Sequence, residues 1–402
     1  MQYAKQFCRS LGLIGTFFLL PVMAAQAQTL TILHNFDLGS DGGEPSAGVT
    51  LDAAGRIYGT TYDGGSHRDG VVYRLSQTSG GWTETVLYTF RGGEDGGQLM
   101  SRVLFGPDGV LYGTTPNGGS SSAGTVFSLT PPPNVCHAIT CPWIKTVLYS
   151  FTGGGDGGYP GGDLLFDAAG NIYGAAAGGG ASGQGAIFKL TRSGSSWTES
   201  VLYSFTAGAD GCDPTSGPVF DTAGNIYGVT FGAACFQWGT VYKLTPSQSG
   251  WTETTLYTIT NRDGGNPTGL TIDAHGNLFG LTGVDGTGIA YELSPAGGSW
   301  TFTVLATLPT GYQGPFDAPT LDAQGNLYGT SCCVPEPEID GVVFKLTPTG
   351  IGWNYTNLHV FGGFDDGEGP TGGVTLDSNG NLYGTTDMGG QDTWGTVWEI
   401  TP

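Results

Sequence analysis

Short stretches in which apolar and polar residues alternate follow one another along almost the whole chain, separated by clusters rich in Gly, Asp and Asn. Alternation with a period of two predicts half-buried β-strands, and the intervening clusters are typical of tight turns. The repeated region has no segment with the 3.6-residue period of an amphipathic helix. The pattern therefore predicts an all-β protein.

The predicted strands belong to a repeating unit that is marked by an aromatic-glycine pair. Successive pairs are 49 to 61 residues apart. The seven pairs are Tyr58-Gly59, Tyr112-Gly113, Tyr173-Gly174, Tyr227-Gly228, Phe279-Gly280, Tyr328-Gly329 and Tyr383-Gly384. A unit of this length without helices is typical of one four-stranded propeller blade. We therefore predict a seven-bladed β-propeller with four antiparallel strands per blade.

Four strands, a to d in chain order, can be placed in each unit. In the last unit strands a, b and c are predicted at 373–376, 381–386 and 395–401, and the first unit has its strand d at 82–90. The a-b connection has the form Asp-x-x-Gly-Asn, with Gly where a three-residue hairpin needs a left-handed residue. We expect its carboxylate to cap the turn by accepting backbone hydrogen bonds.

The two ends of the chain complement each other. The last unit stops after strand c, whereas residues 30–36 have the pattern of a strand d without a blade. Pairing of 30–36 with 395–400 would complete the seventh blade and leave no unpaired edge there. We predict one propeller domain over residues 28–402, with its last blade closed by the N-terminal strand.

The first 27 residues have the pattern of an export signal. Lys5 and Arg9 precede an apolar run, 11–20, that is too short to span a bilayer, and Ala25-Gln26-Ala27 suits a cleavage site. We expect residues 1–27 to be a cleaved signal peptide and the product to be periplasmic or secreted. We expect no membrane span or anchor in it.

Six cysteines follow this segment, an even number that suits an oxidising compartment. Cys212 and Cys235 fall in loops on one face of the same predicted blade, and Cys136 and Cys141 flank a short insertion. The predicted pairs are Cys212 with Cys235 and Cys136 with Cys141. The adjacent Cys332 and Cys333 form either a vicinal disulfide or free thiols.

Composition limits the partners. The 74 Gly and 22 Pro accompany 12% aromatic residues and a clear period, which excludes disorder for most of the chain. The 34 acidic and 13 basic side chains give a net charge of -21. Because such a protein repels phosphate backbones, nucleic acid is excluded as a partner. We also expect the protein to be a monomer.

The segments Gly-Asn-Leu-Tyr-Gly-Thr-Thr and Gly-Thr-Val-Phe-Lys-Leu-Thr, as the repeat can be written, resemble the GloVer tandem-repeat family of exported bacterial proteins. The resemblance covers nearly all of the chain after residue 27. It implies an extracellular repeat protein, often with a C-terminal sorting anchor, and no particular activity. We expect no such anchor here, since strand c of the last unit is followed directly by Pro402. The a-b hairpin alone also looks like that of lactonase-type and NHL propellers.

In a propeller the a-b and c-d connections lie on one face, and the b-c and d-a connections lie on the other. Most carboxylates outside the a-b turns and strands fall in b-c and d-a loops, so we call that side the anionic face. Its charge either keeps an exported protein soluble or binds cations or a cationic partner.

The d-a loops repeat an Asp-Gly-Gly element. Oxygen-rich loops with glycine turns suit Ca²⁺, so we considered Asp41, Asp95, Asp156 and Asp263 as calcium ligands. No complete calcium-loop motif is present, and a recurring structural turn explains the element equally well.

Candidate ligand contacts lie where the repeat is broken. The residue before strand a is small in most units but is Arg102 in the second unit and Asp163 in the third, which places both near the channel mouth. They form either an ion pair across two blades or a ligand contact. Trp238 and Trp394 precede strand c on the anionic face, where they can stack on a sugar ring.

No catalytic motif is present, and strand a has no ionisable residue with which to build a buried metal site of the lactonase kind. We therefore expect a non-catalytic binding propeller whose partner is an extracellular glycan, another polymer or a protein. The alternative is an enzyme on the same face, either a polysaccharide lyase or hydrolase or a metal-dependent lactonase.

Overall fold

The computed structural model describes residues 28–402 with several short gaps. The gaps are 134–141, 233–234, 236–237, 284–287, 309–316, 333 and 336–337. Seven four-stranded antiparallel sheets form a ring, and the described residues contain no α-helix. The prediction of a seven-bladed propeller is confirmed.

We number the blades 1 to 7 along the chain, and within each blade the strands follow the order a, b, c, d from the channel outwards. The strands are Thr50–Leu51, Ile57–Thr60, Val71–Thr78 and Gly81–Thr89 in blade 1; Leu104–Phe105, Leu111–Thr115, Thr125–Thr130 and Ile144–Ser150 in blade 2; Leu165–Phe166, Ile172–Ala176, Ala186–Ser193 and Ser196–Ser204 in blade 3; Val219–Phe220, Ile226–Thr230, Thr240–Ser247 and Gly250–Thr258 in blade 4; Pro267–Ile272, Leu278–Thr282, Ile289–Ala296 and Ser299–Thr307 in blade 5; Thr320–Leu321, Leu327–Ser331, Val342–Thr349 and Gly352–Val360 in blade 6; and Thr375–Leu376, Leu382–Thr386, Thr396–Thr401 and Thr29–Asn35 in blade 7.

Two short helical turns and one short hairpin lie outside the blades in the described part of the chain. Gly93–Asp95 and Asn261–Asp263 are single turns of 3-10 helix in d-a loops. Val334–Pro335 pairs with Glu338–Ile339 in the b-c loop of blade 6. No helix of the described residues is long and apolar enough to cross a membrane.

The N-terminal strand closes the ring as predicted. It pairs antiparallel with strand c of blade 7, from Thr29 opposite Thr401 to Asn35 opposite Thr396. Leu33 in this strand and Phe36 directly after it are buried in the apolar cluster between blades 7 and 1. The outermost strand of blade 7 is therefore held by backbone pairing and by apolar packing.

Each of the seven apolar clusters lies between two neighbouring blades, so the core is divided around the ring. The aromatic-glycine pair explains part of this packing. In blade 1, a Cβ on Gly59 would overlap the ring of Tyr73 from strand c, so only Gly lets that ring lie over strand b. The other six pairs have the same arrangement with the aromatic ring of their own strand c.

The a-b turns are capped by their carboxylates, as expected. In blade 3, Asp167 Oδ1 accepts hydrogen bonds from the backbone N–H of Ala169 and of Asn171, both at 2.9 Å. Its Oδ2 accepts from Asn171 Nδ2 at 2.7 Å and from the Tyr173 hydroxyl at 3.1 Å. The face that carries these turns is thus occupied by near-identical structural hairpins.

One predicted disulfide lies within the described residues. Cys212, in the d-a loop that enters blade 4, is bonded to Cys235 in the b-c loop of the same blade. The Cys212–Cys235 prediction is confirmed. Cys136, Cys141 and Cys333 lie outside the described residues, so the predictions about them are not tested.

Candidate binding site at the channel mouth

A cavity of about 580 Å³ opens at the centre of the anionic face. All seven blades contribute to its lining, six of them through residues between strands d and a or between strands b and c, and blade 5 through Thr268 at the start of its strand a. Its apolar part includes Tyr159, Phe231, Pro116 and Met100. Its charged residues, among those that the structure describes, are Asp163, Asp213, Asp317 and Asp387. Such a concave site with apolar walls and few polar groups is typical of small-molecule binding.

Arg102 lies next to this cavity and contacts two of its lining residues. Its Nε lies 2.6 Å from Asp163 Oδ2 in the next blade, and its second terminal nitrogen lies 2.8 Å from Asp317 Oδ2 in blade 6. The Asp163 carboxylate also accepts the backbone N–H of Arg102, at 3.1 Å. Asp317 further accepts the backbone N–H of Gly373 in blade 7, at 3.0 Å. One guanidinium therefore links blades that do not adjoin in the ring.

The small residues around Arg102 make room for it. A Cβ on Gly48 would approach the guanidinium carbon to 3.1 Å, and one on Gly373 would approach a terminal nitrogen to 2.9 Å. The predicted ion pair between Arg102 and Asp163 is present, and Asp317 is a third member that sequence reasoning missed. Asp317 could have been recognised from the sequence, because the equivalent position in blades 1, 2, 3, 4, 5 and 7 is a small or hydroxyl residue.

Burial sets the protonation of this cluster. Burial raises the pKa of Asp163, and this effect outweighs the neighbouring guanidinium of Arg102. Burial lowers the pKa of Arg102, but the carboxylates of Asp163 and Asp317 raise it by more, so the net pKa is raised and Arg102 stays charged. The side chains of this cluster are between 18% and 29% exposed at the cavity.

Two other carboxylates in the lining have no cationic partner among the described residues. Burial raises the pKa of Asp213, and no other group shifts it. Asp387, after strand b of blade 7, has its pKa raised to about 7, chiefly by burial and further by Glu44 and Glu368. Unpaired carboxylates in a partly dry cavity gain from a ligand that donates hydrogen bonds or brings positive charge.

Tyr159 is the aromatic ring that the cavity presents most openly. Its side chain is 50% exposed although the loop around it is rigidly bonded. Its backbone N–H donates to the Ala123 carbonyl at 2.7 Å, and its own carbonyl accepts from Ala177 N–H at 3.3 Å. Its φ is 57°, in the left-handed region that is costly for a residue with a side chain.

The predicted stacking residues lie outside the cavity lining. Trp238 is 41% exposed at the rim, where its ring covers Gly265 and its carbonyl accepts from Asn266 N–H at 2.8 Å. Trp394 is partly buried against the apolar cluster between blades 7 and 1. Their proposed role in binding stays a prediction, and Tyr159 and Phe231 offer aromatic surface inside the cavity itself.

The aspartates considered as calcium ligands each close their own d-a turn. Asp156 Oδ2 accepts from the Tyr149 hydroxyl and from Thr152 N–H, both at 2.9 Å. Equivalent bonds to strand d hold the other three, which are Asp41, Asp95 and Asp263. In the described part of the chain, no three His, Cys, Asp or Glu side chains are grouped to hold a metal ion. Calcium binding stays a prediction, and the structural turn accounts for the bonds seen.

A comparison with protein families shows that the model of the Gloeobacter/Verrucomicrobia repeat matches residues 13–170 and 159–331. These two stretches together span more than half of the chain. No protein among curated sequences matches it.

Several solved structures share the fold. A proposed 6-phosphogluconolactonase from Bacteroides uniformis is 14% identical, with a TM-score of 0.52 over 78% of this chain and 84% of that one. A protein from Lactobacillus plantarum, also 14% identical, has a TM-score of 0.51 over 86% and 99%. PorZ, a surface component of the type-IX secretion system of Porphyromonas gingivalis, is 13% identical, with a TM-score of 0.50 over 89% and 47%. At these identities the likeness concerns the propeller fold alone.

Proposed function

The chain belongs to the Gloeobacter/Verrucomicrobia repeat family, and we propose that this member is an extracytoplasmic binding protein. Its ligand is a saccharide unit of a glycan, held at the channel mouth on the anionic face. The observation that carries the proposal is the cavity of about 580 Å³, to which all seven blades contribute residues. Its volume is within the range of about 300–1,000 Å³ that is usual for ligand pockets.

The lining suits the two kinds of surface that a sugar ring presents. The exposed ring of Tyr159 and the nearby Phe231 supply apolar area for the C–H face of a pyranose. Asp213 and Asp387 supply oxygen acceptors for its hydroxyl groups. Aromatic rings pack against the apolar face of a sugar, and carboxyl groups accept hydrogen bonds from its hydroxyls. A lining with both features therefore favours a saccharide over a purely apolar ligand.

The Arg102 cluster supports entry from one side. Its guanidinium joins Asp163 in blade 3 to Asp317 in blade 6, and both aspartates line the cavity. A ligand in the cavity therefore approaches through the b-c and d-a loops. These loops differ in length and composition between blades, whereas the opposite face repeats one hairpin, as expected of a specific site on a repeated scaffold.

An extracytoplasmic location is part of the proposal. The Cys212–Cys235 disulfide is of a kind that persists in oxidising compartments. The proposed signal peptide, residues 1–27, lies outside the described residues. Sequencing of the N-terminus of the mature protein tests this point, and we expect it to begin after Ala27.

A glycan array or a pull-down on insoluble polysaccharides tests the binding proposal. We expect the wild type to retain a glycan and the Tyr159→Ala/Phe231→Ala variant to bind it at least about tenfold more weakly. Removing an aromatic side chain that a ligand covers typically costs about 1–3 kcal/mol of binding free energy. His275→Ala is the matched control, because this side chain is 86% exposed in an a-b turn on the opposite face.

In the same assay, Trp238→Ala shows whether the rim contributes to binding in addition to the cavity. Adding a chelator shows whether binding requires calcium. Full retention by the Tyr159→Ala/Phe231→Ala variant, or no retention by the wild type, would contradict the proposal. Shortened products in the polysaccharide fraction would favour the lyase or hydrolase alternative on the same face.

A further inference from the structure

One position in the d-a loops has the same uncommon backbone wherever it is described. It is the third residue after the loop aspartate, with φ between 40° and 68°. We call these six residues the left-handed ring. They are Glu44, Gln98, Tyr159, Asp213, Asn266 and Gly369. Only one of the six is Gly, although Gly is the residue that adopts this conformation without cost.

Backbone hydrogen bonds to the preceding blade fix this conformation, independently of the side chain. Tyr159 N–H donates to Ala123 O at 2.7 Å, and Asp213 N–H donates to Gln184 O at 3.0 Å. The corresponding N–H groups of the other four donate in the same way to the carbonyl of the second residue before strand c of the preceding blade, at 2.8 to 2.9 Å. In the six blades where it is described, this position therefore has the same backbone conformation whatever its residue, and five of the six carry a side chain there.

A non-glycine residue in a strained conformation that the surrounding scaffold imposes is a common feature of ligand contacts. Tyr159 and Asp213 occupy adjacent loops of the ring, and both line the cavity. Glu44 lies close enough to Asp387, another lining residue, to raise the pKa of its carboxyl. The described ring has no Lys, Arg or His at any position.

We infer that the left-handed ring determines ligand specificity, and that Tyr159 and Asp213 select a saccharide with a protonated amine over its N-acetylated counterpart. This inference rests on the proposed function, and it names the ligand class of the same site.

Two physical arguments lead to the amine. An ammonium group against the face of Tyr159 gains a cation–π interaction, which a neutral amide does not. The same group can donate a charge-assisted hydrogen bond to Asp213, which lacks a cationic partner among the described residues, and an ordinary hydrogen bond to the carboxyl of Asp387. Anionic saccharides are disfavoured, because the described cavity lining has four aspartates and no basic side chain, and the nearby guanidinium of Arg102 is already paired with Asp163 and Asp317.

The test is calorimetric titration with tetraglucosamine and with tetra-N-acetylglucosamine, both at about pH 6, where the free amines are charged. We expect the wild type to bind tetraglucosamine at least about tenfold more tightly. Asp213→Asn places at this position the residue that Asn266 provides in blade 5, and Tyr159→Gln places the residue that Gln98 provides in blade 2. The scaffold therefore already tolerates both side chains.

Asp213→Asn is expected to weaken tetraglucosamine about tenfold and to leave the N-acetylated tetramer within about twofold, as the loss of one charge-assisted hydrogen bond implies. Tyr159→Gln should weaken both tetramers. Asp392→Asn is the control, since it removes an exposed charge in the b-c loop of blade 7, outside the cavity lining.

Equal affinity of the wild type for the two tetramers would overturn the inference, as would an effect of Asp213→Asn no larger than that of Asp392→Asn. If neither tetramer binds while the array detects another glycan, the inference fails and the proposed function stands. If no glycan binds in either experiment, the proposed function fails as well. Unfolding midpoints of all variants, measured in parallel, show that a lost affinity is not lost folding.

Discussion

Arg102 has two carboxylate partners in a site that is largely closed to water. Its guanidinium is 2.6 Å from Asp163 and 2.8 Å from Asp317, and neither carboxylate has another cationic partner among the described residues. A partly buried ion pair of this kind contributes little to stability compared with an apolar replacement, but removing one partner leaves an uncompensated charge. The cluster is therefore sensitive to single substitutions.

We predict that Arg102→Ala lowers the free energy of unfolding by about 2–4 kcal/mol, because two partly buried carboxylates lose their counter-charge. Chemical denaturation measures this change. The triple variant Arg102→Ala/Asp163→Asn/Asp317→Asn should recover part of the loss, since no orphan charge remains. A single variant within about 1 kcal/mol of the wild type would contradict this description.

Two equivalent positions in strand d provide a comparison within the chain. In blade 2, Lys145 forms an ion pair with Asp95 at 2.8 Å. In blade 3 the same position is Glu199, whose pKa is raised to about 7 by burial and by the like charge of Asp156. The residue at this position of strand d therefore attracts the loop aspartate in blade 2 and repels it in blade 3.

We expect Glu199→Lys to raise the free energy of unfolding by about 1 kcal/mol or more, because the new ammonium meets Asp156 as Lys145 meets Asp95. Thermal and denaturant unfolding measure the gain. Glu199→Gln serves as the control that removes repulsion without adding attraction. A Lys variant no more stable than the Gln variant would show that the two blades are not equivalent here.

At this scale the sequence was informative wherever a residue departed from its equivalents. Arg102 and Asp163 were found in that way. Asp317 departs from its equivalents as well, but comparison of the adjacent position alone did not bring it out. Asp213 was missed because the special feature of its position is a left-handed backbone set by hydrogen bonds to the preceding blade, which no local pattern reveals.

Among the elements, the N-terminal strand carries the closure of the ring. We predict that deletion of residues 29–36 lowers the unfolding temperature and promotes aggregation, because strand c of blade 7 would become an exposed edge. Phe36→Ala is a milder probe, expected to cost about 3–5 kcal/mol for loss of a fully buried ring. Calorimetry and light scattering detect both effects, and an unchanged unfolding temperature after the deletion would refute the closure.

Strand positions were predicted closely, because alternation and the recurring glycine pairs mark strands b, c and d. Strand a was predicted too long in blade 7, at 373–376, where the structure has Thr375–Leu376. The backbone N–H of Gly373 donates to Asp317 Oδ2 instead of pairing with strand b. This contact with a side chain of another blade ends the strand. Such a contact cannot be predicted from the local sequence.

For the whole molecule, the balance of carboxyl groups sets the pH dependence of stability. Burial raises the pKa of Glu84 to about 7 and that of Asp387 to about 7, above the values of 4.5 and 3.8 expected in the unfolded chain. The folded state therefore binds these protons more tightly, and unfolding becomes easier as pH rises through this interval. The net charge of -21 adds repulsion in the same direction.

The a-b turns act oppositely at low pH. For Asp167, burial raises the pKa, but hydrogen bonds from Asn171 and its neighbours outweigh it and hold the pKa below 3.8. Its contribution to stability is present above that value and is lost as pH falls through the lowered pKa. The two effects together place the maximum of stability in mildly acidic solution, at about pH 4–5.

We predict that denaturation midpoints at constant ionic strength fall from about pH 4.5 to pH 8. Glu84→Gln/Glu199→Gln should flatten this slope, because both groups have a pKa raised to about 7. Stability that increases steadily up to pH 8 would contradict the assignment of these carboxyl groups.

The central claim is that the channel mouth on the anionic face binds a saccharide. A crystal structure of the protein with tetraglucosamine tests it most directly. We predict density for a sugar ring in the cavity of about 580 Å³, stacked on Tyr159, with an amine toward Asp213. Density on the opposite face against the a-b turns, or an empty cavity at saturating ligand, would contradict the claim.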